Sequence, residues 1–145
     1  MTILVTGHEG YIGSRLVPHL QAHGHDVRGF DTNFYTDGCL YDGLEPPRGW
    51  ERKRDIRQMT VEDVAGADAV VHLAELSNDP LSLHSEENTY AINHQGSTHI
   101  ASLCKEAGVE RFVYTSSCSV YGVPADQPIK DAPSETHPQS ASAAL

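Results

Sequence analysis

The sequence predicts a doubly wound α/β fold, a parallel sheet with helices on both faces and so three layers, αβα. Three observations predict it. The apolar run Ile3-Leu4-Val5 leads straight into a glycine turn, Gly7-x-x-Gly10-x-x-Gly13, which opens a helical segment. A second apolar strand follows that helix and ends in Asp31. Strand-like and helix-like segments then alternate as far as Thr115, an order that makes the strands parallel and sends each crossover over a face of the sheet.

The first strand spans Thr2 to Thr6. In the turn after it, Gly7 allows the tight bend and Gly10 lets the backbone approach a ligand without a Cβ in the way. Gly13 lets the helix pack close to the strand. The N–H groups and positive dipole end of the helix then face an anion, worth about 0.3–1 kcal/mol per charge at an exposed site. Strand, turn and helix together read as a cradle for a pyrophosphate. The helix runs from Tyr11 to His23 and stops at Gly24; Pro18 lies inside it and removes one backbone hydrogen bond. Strand two is Asp26 to Asp31. A carboxylate at that tip accepts the two hydroxyls of an adenosine ribose and repels a 2′-phosphate, so Asp31 favours NAD over NADP.

The stretch Thr32 to Trp50 is long for a loop in a small domain and holds several aromatic residues. It reads either as a lid over the adenosine end or as a plain surface loop. Strand three is short, Arg52 to Arg54, and Asp55-Ile56-Arg57 follows it. A helix over Val61 to Ala65 stops at Gly66. Strand four, Ala69 to Leu73, is apolar enough for the middle of a parallel sheet. A long helix spans Glu86 to Ala107 and stops at Gly108, with Tyr90, Ile92, Ile100, Ala101, Leu103 and Cys104 on one broad face. Strand five is Arg111 to Thr115. The hydroxyl cluster Ser116-Ser117-Cys118-Ser119 lies at its carboxyl end, where open parallel sheets bind ligands. It reads as a contact for a sugar or a carbonyl, or as a serine-rich strand exit without chemistry. From Pro124 onward no periodicity is visible, so residues 1–123 read as a dinucleotide-binding domain and 124–145 as a tail.

Composition narrows the partners. The 145 residues carry a formal charge of −10, which argues against nucleic acid. With 39% hydrophobic and 21% charged residues the chain reads as globular, and no apolar run approaches the roughly 20 residues that span a bilayer. No basic leader or cleavage signal precedes the first strand. Cys39, Cys104 and Cys118 form no C-x-x-C and read as free thiols in a reducing cytoplasm. The nine histidines show no metal-ligand spacing: His19, His23 and His25 gather at the end of the first helix, and His94 and His99 do not share a helical face. No metal site is expected.

Read in order, Thr6-Gly7-x-x-Gly10-x-x-Gly13, Asp31, Asp55-Ile56, His72-Leu73-Ala74, Asn93-x-x-Gly96 and Ser116-Ser117-x-x-Val120-Tyr121-Gly122 resemble the extended short-chain dehydrogenase/reductase family, in its nucleotide-sugar epimerase/dehydratase branch. The resemblance implies a Rossmann-type fold, an NAD cofactor, a nucleotide-sugar substrate and a homodimer. It also implies a reaction in which a hydride leaves a sugar carbon and returns to it through a keto intermediate. Gly7, Gly10, Tyr11, Ile12 and Gly13 would hold the pyrophosphate, and Asp31 and Asn33 the adenosine ribose. Asp55 and Ile56 would border the adenine, and Leu73, Ala74 and Glu75 would line the middle of the cofactor. Ser117 matches the hydroxyl that hydrogen-bonds the reacting sugar oxygen. Asn93 matches a structural polar residue beneath the active site, though by itself it also reads as a plain helix-surface residue.

Two departures from the pattern stand out. Glu75 replaces a small residue, and a carboxylate beside a pyrophosphate must point away or engage another group. Family members also carry a Tyr-x-x-x-Lys pair after a Pro-x-Ser-Ala-like lead; here Pro138-Gln139-Ser140-Ala141 runs into Ser142. That pair does the acid/base work, the lysine lowering the tyrosine pKa so that it can take the substrate proton. Tyr114 and Tyr121 occupy other slots of the motif. The expectation is an amino-terminal portion of a larger enzyme, with the carboxyl-terminal part of the fold absent and little turnover by itself. A 4,6-dehydratase fits less well, because that branch places an Asp-Glu pair where Cys118-Ser119 stand. A non-catalytic NAD-binding module and a reductase or decarboxylase of the same family are the remaining alternatives.

Overall fold

The computed structural model describes residues 1–34, 51–77, 84–117 and 120. Strand β1 (Thr2–Thr6) leads through the glycine turn into helix α1 (Gly13–Ala22), and β2 (Asp26–Asp31) follows. Next come β3 (Glu51–Lys53), a 3₁₀ turn (Ile56–Gln58), α2 (Val61–Val64) and β4 (Ala69–His72). Helix α3 (Glu86–Thr89), a π-helical stretch (Tyr90–Gly96) and α4 (Ser97–Ala107) run on continuously, and β5 (Arg111–Tyr114) ends the described sheet.

All five strands are parallel, in the order β3-β2-β1-β4-β5. The chain thus winds outward from β1 in one direction and then from β4 in the other. The crevice between those two strands, at their carboxyl ends, is where such sheets bind ligands. Register places Thr6 of β1 level with Phe30 of β2 and His72 of β4.

Alternation along β1 sorts the core into two layers. Leu4 joins Phe30, Val70, Val64, Ile100, Leu103 and Cys104 on the face covered by α2 and α4. Ile3 and Val5 join Val27, Ala69 and Val17 on the face covered by α1. The expected three layers are therefore present.

Differences from the sequence reading are local. Helix α1 begins at Gly13 rather than Tyr11, because Tyr11 and Ile12 belong to the turn and their side chains are exposed. Strand β3 starts one residue earlier than expected, while β4 and β5 each stop one residue sooner. The long helix is widened over Tyr90–Gly96, which breaks the 3.6-residue repeat. The expected apolar face is consequently split: Ile100, Leu103 and Cys104 are buried, whereas Tyr90 and Ala101 are exposed. Gly96 fits the widened turn against the 3₁₀ segment, where a Cβ would lie 2.8 Å from Ile56 Cδ1. Residues 35–50, Cys118, Ser119 and the 124–145 tail, including the Pro138–Ser142 segment, lie outside the described residues, as do Cys39, Tyr121 and Gly122. Among the described residues no helix is long and apolar enough to cross a membrane.

Candidate functional site: a dinucleotide cradle

The turn after β1 is built by three glycines with distinct constraints. Gly7 has φ +73° and donates its N–H to Phe30 O at 2.8 Å. A Cβ on Gly7 would also lie 2.8 Å from Ala74 N, so the turn abuts the exit of β4. Gly10 donates to Gly7 O at 3.1 Å and closes the turn. A Cβ on Gly13 would fall 2.3 Å from Gly7 O and 2.6 Å from His8 Cα. Gly13 thus lets the helix start pack on the turn itself, not on the strand as the sequence reading had it. Among the described residues, the amides of Tyr11, Ile12 and Gly13 donate to no protein acceptor. Amides left in that way at a helix start are suited to an anion, and a diphosphate fits the donor set.

Asp31 ties the turn to the end of β2. Its Oδ2 accepts the Glu9 N–H at 3.0 Å and its Oδ1 accepts the Asn33 N–H at 2.9 Å. A carboxylate offers about four lone-pair positions, so acceptor capacity for ribose hydroxyls is left over. Asn33 adopts a left-handed backbone, φ +56°, and its amide donates to Glu51 Oε1 at 3.2 Å. Asp55 caps the 3₁₀ turn through the Arg57 N–H and pairs with the Arg57 guanidinium at 2.6 Å. That guanidinium holds the Asp55 carboxyl below its usual range. The Ile56 side chain is packed in the core.

At the end of β4 a buried hydrogen-bond chain fixes the loop that carries Leu73, Ala74 and Glu75. Thr6 Oγ1 and His72 Nδ1 are 2.6 Å apart, and His72 Nε2 and Ser97 Oγ 2.8 Å. Ser97 donates to the Asn93 carbonyl, and Thr6 Oγ1 accepts the Leu73 and Ala74 N–H groups at 3.3 and 3.4 Å. Every hydrogen is then assigned: Thr6 donates to Nδ1, and the Nε2–H of a neutral imidazole donates to Ser97. Burial pushes the His72 pKa down to about 4, in keeping with that neutral form.

Asn93 is buried, which overturns the helix-surface reading of it. Its Oδ1 accepts the Leu76 N–H at 2.9 Å and its Nδ2 donates to the Leu76 carbonyl at 3.1 Å. The widened helical turn thereby clamps the loop beyond β4. Glu75 lies close enough to the Tyr114 hydroxyl for each to influence the other's protonation. Burial raises the Glu75 pKa, and burial together with Glu75 pushes that of Tyr114 up to about 12. A phenol so placed keeps its proton and is no general base near neutrality. Ser117 is exposed beyond β5, and Thr115 Oγ1 donates to the His72 carbonyl at 3.1 Å, holding this segment beside the end of β4.

The cradle glycines, Asp31, Asn33, Leu73 to Glu75 and Ser117 therefore share the carboxyl edge of the sheet, while Asn93 supports it from below. Sequence reasoning passed over the Thr6–His72–Ser97 chain. Its signal was present: two polar residues close two apolar strands that pair in register.

Residues 3–144 match the NAD dependent epimerase/dehydratase family. A UDP-glucose 4-epimerase of Klebsiella pneumoniae is 30% identical over 135 residues, covering 88% of this chain and 95% of that protein. Seven further curated relatives are longer, and the chain spans 29% to 41% of their lengths. The UDP-glucose-4-epimerase of Stenotrophomonas maltophila, solved with NAD and formylated UDP-arabinopyranose, superposes with a TM-score of 0.85 at 27% identity, over 99% of this chain and 45% of that one. The dTDP-glucose 4,6-dehydratase of Streptomyces venezuelae, solved with NAD and TYD, gives 0.82 at 29% identity, over 99% and 48%. Fold, ordered motifs and cradle agree with these matches, and the chain belongs to the NAD-dependent epimerase/dehydratase family.

Proposed function

We propose that this chain is the NAD-binding portion of a nucleotide-sugar epimerase. The observation that carries the reading is the cradle: three glycines let the turn fold tightly on itself, and among the described residues the amides of Tyr11, Ile12 and Gly13 are left without a protein acceptor, with Asp31 at the adjoining strand end. Gly7, Gly10, Tyr11, Ile12 and Gly13 would hold the pyrophosphate through backbone amides. Asp31 and Asn33 would hold the adenosine ribose, Asp55 and Ile56 the adenine border, and Leu73, Ala74 and Glu75 the central stretch. Asn93 acts through the loop it clamps. When bound, NAD supplies a hydride acceptor that can return the hydride. Ser117 would hydrogen-bond the oxygen carried by the sugar carbon that is oxidised.

The epimerase reading is preferred to a 4,6-dehydratase because Cys118 and Ser119 provide no carboxylic acid to expel water. These 145 residues contain no Tyr-x-x-x-Lys, so a polypeptide of this sequence alone should bind NAD without efficient turnover. A cytoplasmic homodimer for the intact enzyme belongs to the same proposal.

Titration with NAD⁺, NADH and NADP⁺ tests it. NAD⁺ should bind at least about tenfold more tightly than NADP⁺, a difference of about 1.4 kcal/mol, and Asp31→Ala should narrow that ratio. Failure of all three nucleotides to bind, or a ratio unmoved by the substitution, would refute the assignment.

A further inference from the structure

We propose that His8, Glu9 and Glu51 form a site for one divalent transition-metal ion, zinc by donor preference, beneath the glycine turn and against the edge of the sheet. The His8 side chain is 1% exposed. Its ring lies on Gly29 of β2, where a Cβ would come within 2.7 Å of ring atoms. Glycine inside a strand costs roughly 0.5–1 kcal/mol and marks a close approach, here the seat of an imidazole. Neither His8 ring nitrogen has a hydrogen-bond partner among the described residues. A buried imidazole left in that way costs free energy unless something binds it.

Two carboxylates converge on that ring. His8 Nε2 is 3.3 Å from Glu9 Oε1 and 3.4 Å from Glu51 Oε1, and the three atoms all lie within 4.8 Å of one another. An Nε2–H can donate to one of these oxygens but not to both, and both separations exceed the roughly 2.7–2.9 Å of a charge-assisted hydrogen bond. They match the ligand-to-ligand edge around tetrahedral zinc, about 3.3–3.4 Å for bonds of about 2.0–2.1 Å. One imidazole and two carboxylates also offset a 2+ charge, and a set without thiolate suits zinc, cobalt or manganese.

The Asn33 amide donates to Glu51 Oε1 at 3.2 Å, an outer contact of the kind that orients a ligating carboxylate. Glu9 and Glu51 are partly exposed, at 20% and 35%, which leaves a path for the ion and for a water ligand. Glu9 is held from its backbone by Asp31. The ion would staple the three-residue β3 to the turn. It does not depend on the NAD assignment.

The test uses the full-length protein stripped with a chelator, then titrated with Zn²⁺ by calorimetry and with Co²⁺ by visible absorption. The expected result is one equivalent of each, with the intense bands of four- or five-coordinate Co²⁺. Glu51→Gln and Glu9→Gln should each weaken Zn²⁺ binding by at least about tenfold, which is about 1.4 kcal/mol, while circular dichroism stays unchanged. A competing chelate lies on the surface, where the His19 and His23 rings are 4.4 Å apart. His23→Gln should leave stoichiometry and affinity as they are. No binding, wild-type affinity in both glutamate variants, or loss of the equivalent in His23→Gln would overturn the proposal. Should a glutamate variant lose its fold, melting of the wild-type protein decides: Zn²⁺ should raise its midpoint, and an unmoved midpoint refutes the site.

Discussion

Acidification should destabilise this protein through His72. In the folded chain burial holds the imidazole pKa at about 4, against 6.5 for the free side chain. The sign follows from which state takes the proton. Between those values the unfolded chain is protonated and the folded one is not, so the contribution is complete above about 6.5 and lost as pH falls to about 4. At about 1.4 kcal/mol per pH unit the separation is worth about 3 kcal/mol, a large share of the 5–15 kcal/mol typical of a domain. The hydrogen-bond chain explains why the proton is unwelcome. A second N–H, on Nδ1, would face a Thr6 hydroxyl that already accepts from Leu73 and Ala74. The assay is urea denaturation at about pH 7 and about pH 4 for the wild type and His72→Gln, which can still donate to Ser97 but cannot be protonated. Carboxylates titrate alike in both proteins and cancel in the difference. The stability gap between the two should shrink by about 3 kcal/mol on acidification. A gap constant within about 0.5 kcal/mol would refute the reasoning.

Two substitutions probe the cradle and its support. Gly13→Ala puts a methyl group 2.3 Å from a backbone oxygen that no rotamer change can clear, so a loss of more than about 2 kcal/mol and weakened NAD binding are expected by melting and by titration. Gly24→Ala is the control: its φ of +81° costs about 1 kcal/mol, but nothing lies within 4 Å and NAD affinity should stay put. Asn93→Ala removes both partners of the Leu76 backbone and should cost about 2 kcal/mol, with faster hydrogen exchange at the Leu76 amide. Asn93→Asp keeps the acceptor but loses the donor and should fall between the two.

How much of this was legible depends on where each signal resides. Strand β1 holds the contiguous apolar run Ile3-Leu4-Val5, and β2 is a short segment between the helix stop at Gly24 and the terminal acid Asp31; the limits of both in the sequence and the structure coincide. The helix over Glu86 to Ala107 was visible as one unit, but its widened turn was not. That turn arises from tertiary contacts, Gly96 against Ile56 and Asn93 around Leu76, which have no periodicity to betray them. The candidate site divides in the same way. Glycine spacing and the terminal acid of β2 are local patterns. The His72 chain and the Glu75–Tyr114 contact need β4 placed beside β1 and β5.

Histidine spacing could say nothing about His8, because one of the carboxylates facing it, Glu51, arrives through β2–β3 pairing from far along the chain. Gly29 is the exception that connects the two kinds of signal. It stands in the middle of a strand that otherwise reads Asp26-Val27-Arg28 and Phe30-Asp31. A glycine inside a short strand weakens it without evident local gain. The gain lies across the sheet, in the only side-chain volume small enough to admit the His8 ring. A local cost with no local benefit is thus the trace that a distant contact leaves in the sequence, and Gly29→Ala, which must displace that ring from its seat, measures it directly.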